Sequence, residues 1–413
     1  MTPTRTAIPT DLLTPLGAYL RLRGPGRASF LLESVDQGRL GRYSLIGSGT
    51  RLVDVHEAET LADEAVVGHV GYDWIAELEP TVPLPEAGRG LPESRFVVAD
   101  RLVRFDHVAG VAEVIVGDPE EIRALLDAPA EAPSGASGHP SGPIRRFPDQ
   151  AEHERRVLAA KEYIRKGDAF QIVVAQRAER PTSATALQIY RALRRVNPSP
   201  YLFLLELGDT ALIGSSPETH VKLEGKRASL NPIAGTTPVG DGDAERLLAS
   251  EKDKAEHVML VDLGRNDLSR VCKPGTVRVE RFLQVERFSH VTHLVSEVAG
   301  EIQDGTSAWD LLKATFPAGT VSGAPKVRAM QIISELEGFR RGFYAGVVGY
   351  CIPGIGLDTC IALRTMLLKD GVAHLQAGGG LVADSDPTDE HHECLNKLAA
   401  VERAIDLAES ELA

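Results

Sequence analysis

Residues Asp149–Ala175 read DQAEHERRVLAAKEYIRKGDAFQIVVA, and they set the pattern for most of the chain. Asp149 and Glu152 form a D-x-x-E capping box ahead of Val157, Ala160, Lys161 and Ile164, which recur at helical spacing until Gly167 supplies a stop. Ala169–Ala175 is short, apolar and β-rich, so the segment reads as a helix followed by a strand. The same reasoning predicts helices over Ala184–Val196, Ala244–Asp262, Ala324–Glu337 and Asp389–Leu412. It predicts strands over Tyr201–Leu207, Val221–Leu223, Ser229–Ile233, Tyr344–Ile352, Cys360–Leu368 and Val372–Ala377. These elements do not alternate strictly enough for a TIM barrel, and the fold class is α+β.

Upstream, Ala128–Pro143 (APAEAPSGASGHPSGP) lacks every large hydrophobe and cannot offset its own ordering entropy, so it reads as a linker. The preceding part has short apolar runs at Phe30–Leu32, Ala65–Val67 and Val111–Val116 and a helix over Pro119–Leu126. The expected organisation is an amino-terminal part over 1–127, a linker over 128–146 and a larger domain over 147–413.

Composition narrows the class. Of the 413 residues, 43% are hydrophobic and 25% charged, which excludes wholesale disorder and fibrous repeats. With 45 Lys and Arg against 58 Asp and Glu, the net charge is −13, so the chain is no general binder of nucleic acid. No segment has the length and apolarity of a membrane span or signal peptide. Cys272, Cys351, Cys360 and Cys394 are too scattered for a disulfide framework, which fits a cytoplasmic protein.

Two carboxylate pairs stand at helical spacing, Asp253 with Glu256 and Glu390 with Glu393. Residues three apart share a helix face, so each pair is either a solvated surface pair or a set of oxygen ligands for a hard cation. Glycine-rich segments occur at Pro232–Thr236, Phe316–Lys326 and Gln376–Leu381; each is either a tight turn or a backbone cradle for an anion. None is a Walker A loop or a dinucleotide fingerprint. His391-His392-Glu393 would suit a metallohydrolase, but adjacent histidines leave a helix on different faces.

The strings Ile213–Glu218 (IGSSPE), Pro232–Thr236 (PIAGT), Ala255–Asp267 (AEHVMLVDLGRND), Phe316–Lys326 (FPAGTVSGAPK) and Gln376–Ser385 (QAGGGLVADS) resemble, in order, the motifs of the chorismate-binding enzymes. Within that family the likeness is to the anthranilate synthase component I group. It extends upstream through Leu31–Ser34, Gly41–Gly47 and Gly68–Asp73, which resemble that group's tryptophan-sensing region. The resemblance implies two large antiparallel sheets packed together with helices outside. It implies replacement of the chorismate ring hydroxyl by ammonia at a distant carbon, followed by elimination of pyruvate.

The resemblance also carries roles. Glu218 is the expected general acid for the departing hydroxyl, and His293 is associated with pyruvate elimination. Thr320 is expected to donate to substrate or orient His293. Mg²⁺ is the implied cofactor, held by Glu256 and Glu393 with Asp253 and Glu390 in support; Asp253 stands where the family has a longer Glu. Anion recognition falls to Arg364, Tyr344 and Lys397 and to the amides of Gly235, Thr236, Gly378, Gly379 and Gly380. Gly379 replaces an expected alanine. Ser34, Pro200, Tyr201, Leu202 and Cys360 match the tryptophan pocket, so L-tryptophan is the expected inhibitor.

Two positions separate sister activities. Gln171 stands where isochorismate and salicylate synthases resemble one another in a water-activating lysine, and an amide cannot be that base. Ala234 stands where aminodeoxychorismate synthases have a nucleophilic lysine. No cysteine sits in a G-x-C-x-G turn, so a separate glutamine amidotransferase subunit is the implied ammonia source. Asn231 and Thr237–Gly240 depart from the arginine-rich family pattern. The alternatives are a 2-amino-2-deoxyisochorismate synthase that stops before elimination, and a non-catalytic chorismate- or tryptophan-binding regulator.

Overall fold

In the computed structural model the described residues are 6–34, 41–86, 88, 90–130, 138–287 and 291–412. Part of the expected linker, residues 131–137, lies outside them, as do Ser289 and His290. Within them the α+β expectation holds: two antiparallel sheets, of 12 and 10 strands, carry helices on their outer faces. No helix among the described residues is long and apolar enough to cross a membrane.

The first sheet runs from Ala7–Pro9 through Val111–Val116, Arg101–Asp106, Tyr43–Gly49 and Ala28–Glu33. It continues through Tyr201–Leu207, Thr210–Ser216, Thr365–Lys369 and Val372–Leu381 to Gln171–Pro181. The second places Val66–Val70, Ser94–Val98 and Arg51–Val53 beside Val347–Ile352, Gly356–Ile361 and Thr219–Glu224, and ends on Val291–Glu301 and Ile233–Pro238. Residues before 128 therefore form no sheet of their own. They extend both sheets, and Phe30, Val67 and Val97 share one buried core with Phe203, Leu212 and Val347.

Within the first sheet neighbouring strands pack closely enough that some positions exclude a side chain. A methyl group on Gly47, in Tyr43–Gly49, would stand 2.2 Å from the Arg101 carbonyl oxygen and 2.4 Å from Phe30 Cζ. Gly47→Ala is expected to destabilise the chain by about 1–3 kcal/mol, the cost of overpacking a core, read as a lower urea midpoint at unchanged slope. An unchanged midpoint would show that the strands can part there.

Three of the expected elements break within their predicted spans. The helix expected over Ala244–Asp262 is two helices, Asp243–Ala249 and Glu251–Ser269, because Ser250 accepts from Asp253 N (3.2 Å) and caps the second. The strand expected over Ser229–Ile233 divides into Arg227–Leu230 and Ile233–Pro238 at Asn231-Pro232, where proline lacks the ladder donor. The strand expected over Cys360–Leu368 divides into Gly356–Ile361 and Thr365–Lys369, which belong to different sheets.

That last break positions the site. Chain passes from the first sheet to the second at Pro217-Glu218 and returns at Ala362–Arg364. The two crossovers lie side by side: Ile361 N donates to Glu218 O (3.1 Å), Ser215 N to Arg364 O (3.2 Å) and Ser216 Oγ to Ile361 O (2.6 Å). Arg364 (φ 48°) and nearby Ala345 (φ 63°) are both non-glycine residues in the left-handed region. Such backbone persists only where surrounding structure over-determines it, and it clusters at functional sites.

Candidate active site

A cavity of 2360 Å³ opens at this junction, between the sheets and the helices Glu251–Ser269 and Pro387–Glu411. Glu218 enters from one crossover and Arg364 from the other; His293 enters from Val291–Glu301, Gln171 from the start of Gln171–Pro181, and Thr320 from the turn after Thr315. Gly235, Tyr344, Gly378, Gly380 and Lys397 also line it, as do Asp253, Glu256, Glu390 and Glu393. Gly379 and Thr236 are not among the lining residues; the side chain of Thr236 lies outside the described set, and its backbone pairs with His293.

Glu218 is buried, and burial pushes its carboxyl up to about 8. Nearby Glu256 adds to the shift, whereas the Thr320 hydroxyl and the Ile233 N–H oppose it. Thr320 Oγ1 donates to Glu218 Oε1 (2.6 Å), which leaves Oε2 as the proton-bearing oxygen at neutral pH. Thr320 therefore orients Glu218, not His293. The Nδ1 of His293 lies 2.8 Å from the Gly235 carbonyl, an acceptor only, so Nδ1 carries hydrogen and Nε2 is the basic nitrogen. Burial and the Arg364 charge lower the His293 pKa, and the ring is neutral at pH 7.

Gly235 (φ 67°) makes this contact possible, since its backbone stands at a bulge between Ala234 and Thr236. Arg364 lines the cavity with Glu218, burial depresses its pKa, and it makes no ion pair among the described residues. A half-buried guanidinium without a protein counter-ion is a ready receptor for a carboxylate. Gly378 N–H faces the Tyr344 hydroxyl, and Gly378 O accepts from Lys397 Nζ (2.8 Å).

The carboxylates come from two helices that face the cavity from opposite sheets. Glu256 Oε1 accepts from Gln171 Nε2 (2.8 Å), and Glu393 Oε1 pairs with Lys397 Nζ (2.6 Å). Glu390 Oε2 is buried with no hydrogen-bond partner. A Cβ at Gly379 would stand 2.5 Å from that oxygen, so the glycine found in place of alanine opens room at the carboxylate as well as exposing backbone. Among the described residues no three Asp, Glu, His or Cys groups close a metal cage by themselves. An all-oxygen set with an orphaned carboxylate oxygen beside a roomy cavity fits Mg²⁺, which takes one or two carboxylates and leaves other positions to water and an anionic substrate.

The expected tryptophan residues gather only in part. Ser34 Oγ donates to Pro200 O (2.8 Å), and Tyr201 Oη meets Thr219 Oγ1 (2.8 Å) and Asp358 Oδ1 (3.1 Å), two residues before buried Cys360. Leu202 turns the other way, into the helix-side core with Leu31 and Tyr190. The metallohydrolase alternative fails on geometry: His391 is buried with Nδ1 on Gln176 Oε1 (2.9 Å), while His392 is exposed. Cysteine is no nucleophile here, since burial pushes Cys351 up to about 11 and Cys394 up to about 12.

A family profile described as chorismate binding enzyme matches residues 37–403. The chain belongs to the chorismate-binding enzymes. Within them it groups with anthranilate synthase component I. It is 42% identical to the probable anthranilate synthase component 1 of Schizosaccharomyces pombe, over 98% of this chain and 93% of that one. It is 40% identical to anthranilate synthase component 1 of Thermus thermophilus, over 99% of each chain. Anthranilate synthase component I of Streptococcus pneumoniae superposes with a TM-score of 0.78 at 34% identity, covering 95% of this chain and 98% of that chain. The menaquinone-specific isochorismate synthase of Escherichia coli shares the fold, with a TM-score of 0.77 at 21% identity over 97% of this chain and 94% of that one.

Proposed function

We propose that this chorismate-binding enzyme converts chorismate and ammonia to anthranilate and pyruvate, with Mg²⁺, and that a separate glutaminase subunit supplies the ammonia. The observation that carries this reading is the pairing on adjacent crossovers of a protonated carboxyl, Glu218, with an unpaired guanidinium, Arg364. Arg364 holds a substrate carboxylate, and Glu218 Oε2 delivers its proton to the departing ring hydroxyl, which leaves as water while ammonia forms the new C–N bond. His293 Nε2 then takes the ring proton as the ring C–O bond to the enolpyruvyl group breaks, which makes the ring aromatic; the departing enolpyruvate takes up a proton at its methylene carbon and leaves as pyruvate. Gln171 favours ammonia over water because its amide is engaged on Glu256 and can accept no proton. Glu256 and Glu393, supported by Asp253 and Glu390, would hold Mg²⁺, which when bound supplies positive charge to the ring carboxylate.

One product analysis tests the reading. Chorismate, Mg²⁺ and ammonium at alkaline pH, where ammonia is unprotonated, are expected to give equal anthranilate and pyruvate, and glutamine is expected to be inert until a glutaminase is added. Aminodeoxyisochorismate without pyruvate would select the enzyme that stops short of elimination; isochorismate or salicylate would overturn the role of Gln171; no conversion at all would favour a silent regulator.

Feedback inhibition by tryptophan is the second part of the proposal. Ser34, Pro200 and Tyr201 stand where the two sheets meet, so a ligand there that prefers one arrangement of the sheets would shift the active site through that preference. Millimolar tryptophan is expected to lower activity and raise the melting temperature. If it does neither, the enzyme is unregulated.

A further inference from the structure

Behind the cavity lies a cation that the motifs do not single out. Arg341 is 1% exposed and stands four residues after Glu337, beyond the helix end at left-handed Gly338, and the Glu337 side chain is equally buried. Its guanidinium donates from Nε to Glu337 Oε2 (3.0 Å), from Nη2 to Glu337 Oε1 (2.6 Å) and Val173 O (2.8 Å), and from Nη1 to Val321 O (2.7 Å). Its Cζ lies 4.5 Å from the Tyr72 ring centroid and 5.6 Å from that of Tyr344. Glu337 Oε1 also accepts from Ala175 N (2.9 Å).

Three of these contacts belong to the site or sit close to one of its residues. Val321 follows Thr320, which orients Glu218; Val173 stands two residues after Gln171, on the same strand; Tyr344 faces Gly378. The Asp73 carboxylate receives Arg341 N (3.2 Å) and Gly342 N (2.8 Å), so the Gly71-Tyr72-Asp73 motif of the amino-terminal part fixes the turn that carries the arginine. We propose that Arg341 is the positioning residue of this site: one planar fork sets the spacing between the Thr320 turn, the Gln171 strand and the Tyr344 ring, without touching substrate. Only arginine offers donors at fixed angles with two stacking faces; lysine would keep the charge opposite Glu337 and lose the angles.

The inference rests on the proposed roles of Thr320 and Tyr344, and the experiment separates the two. Anthranilate formation from chorismate and ammonium is measured well below the unfolding temperature, per folded molecule, for wild type, Arg341→Lys, Thr320→Val and the double variant. Misplacement of reacting groups by about 1 Å costs up to ~100-fold, so Arg341→Lys is expected to lose ~10–100-fold in kcat. In the Thr320→Val background the same change is expected to cost less than ~3-fold, because the turn it holds no longer carries the hydroxyl. A purely structural arginine would give the same factor in both backgrounds, and that result, or a folded Arg341→Lys within about twofold of wild type, overturns the proposal. If Arg341→Lys does not fold, Tyr72→Leu serves instead: it removes one stacking ring, leaves all four guanidinium bonds, and is expected to show the same loss and the same non-additivity. A wild type that makes no anthranilate would instead overturn the proposed function.

Discussion

Glu218→Gln is expected to lower kcat for ammonia-dependent anthranilate formation by ~10²–10⁴-fold, the contribution of a positioned general acid, while making the folded chain more stable at alkaline pH. Both effects come from one environment. Burial, with Glu256 adding to it, raises the Glu218 pKa to about 8, so the carboxyl holds its proton at pH 7 and keeps Oε2 ready to give it. Glutamine has nearly the same shape and still accepts from Thr320 at Oε1, but it has no acidic proton. The sign of the stability effect follows from linkage. The folded pKa lies above the unfolded value of about 4.5, so the folded state binds the extra proton between them and stability falls as pH rises through that window to about 8. A permanently neutral glutamine avoids this loss. Denaturation curves for both chains should therefore diverge from pH 5 upward and run parallel above about pH 8.5. A variant with activity within tenfold of wild type would remove Glu218 from the acid's role.

Much of the site was legible because its motifs are continuous strings, each delivering one group to the cavity. Glu218, His293, Thr320, Gln171 and Arg364 line one cavity, along with all four carboxylates. What the sequence hid are relations between strings. Thr320 reads as a partner for substrate or for His293, but its hydroxyl reaches Glu218, and only the packing of the turn against the crossover decides that. Arg340 and Arg341 are adjacent and chemically identical, yet Arg340 is part-exposed with Glu93 while Arg341 is sealed beneath the cavity. The sole local signal is Glu337 four residues earlier, an i,i+4 spacing equally common on solvated helices.

The fold shows the same division. Hydrophobic patterning locates strands but says nothing about which sheet receives them, since antiparallel pairing is non-local and a run such as Cys360–Leu368, apolar on both sides of Arg364-Thr365, is shared between two sheets when the chain crosses at Ala362–Arg364. The amino-terminal part reads as a body of its own for the same reason: its strands are self-consistent, and only pairings such as Val67 with Tyr350 and Leu32 with Phe203 show that both sheets are shared. A polar break signals a boundary only when its chemistry is specific, as with the Ser250 cap.

Glu256→Gln and Glu393→Gln should each reduce Mg²⁺-dependent turnover at limiting Mg²⁺ by at least ~10²-fold while leaving the fold intact, and each should abolish the rise in melting temperature that Mg²⁺ with chorismate gives the wild type. The structure explains why the fold survives. Glu393 has a side chain 49% exposed and pairs with Lys397 at i,i+4, an arrangement worth only about 0.3–0.5 kcal/mol on a helix surface. Glu256 accepts one hydrogen bond, from Gln171, and a glutamine oxygen can accept it in turn. What each change removes is a formal negative charge facing the cavity, which a hard divalent cation needs and an amide does not supply. Binding linkage supplies the independent readout: ligand present at about 100 times its Kd stabilises the wild type by about 2.7 kcal/mol, and a variant that cannot hold the ion forfeits that increment even if its basal stability is unchanged. Glu390→Gln discriminates further, because Glu390 Oε2 is buried and unpartnered and the substitution would place an amide group beside Gly379 in its stead. If Glu390 supports the ion only at second hand, its loss should fall short of that in Glu393→Gln; equal losses would make it a direct ligand, and full activity of Glu256→Gln or Glu393→Gln at limiting Mg²⁺ would exclude that residue from the metal's coordination.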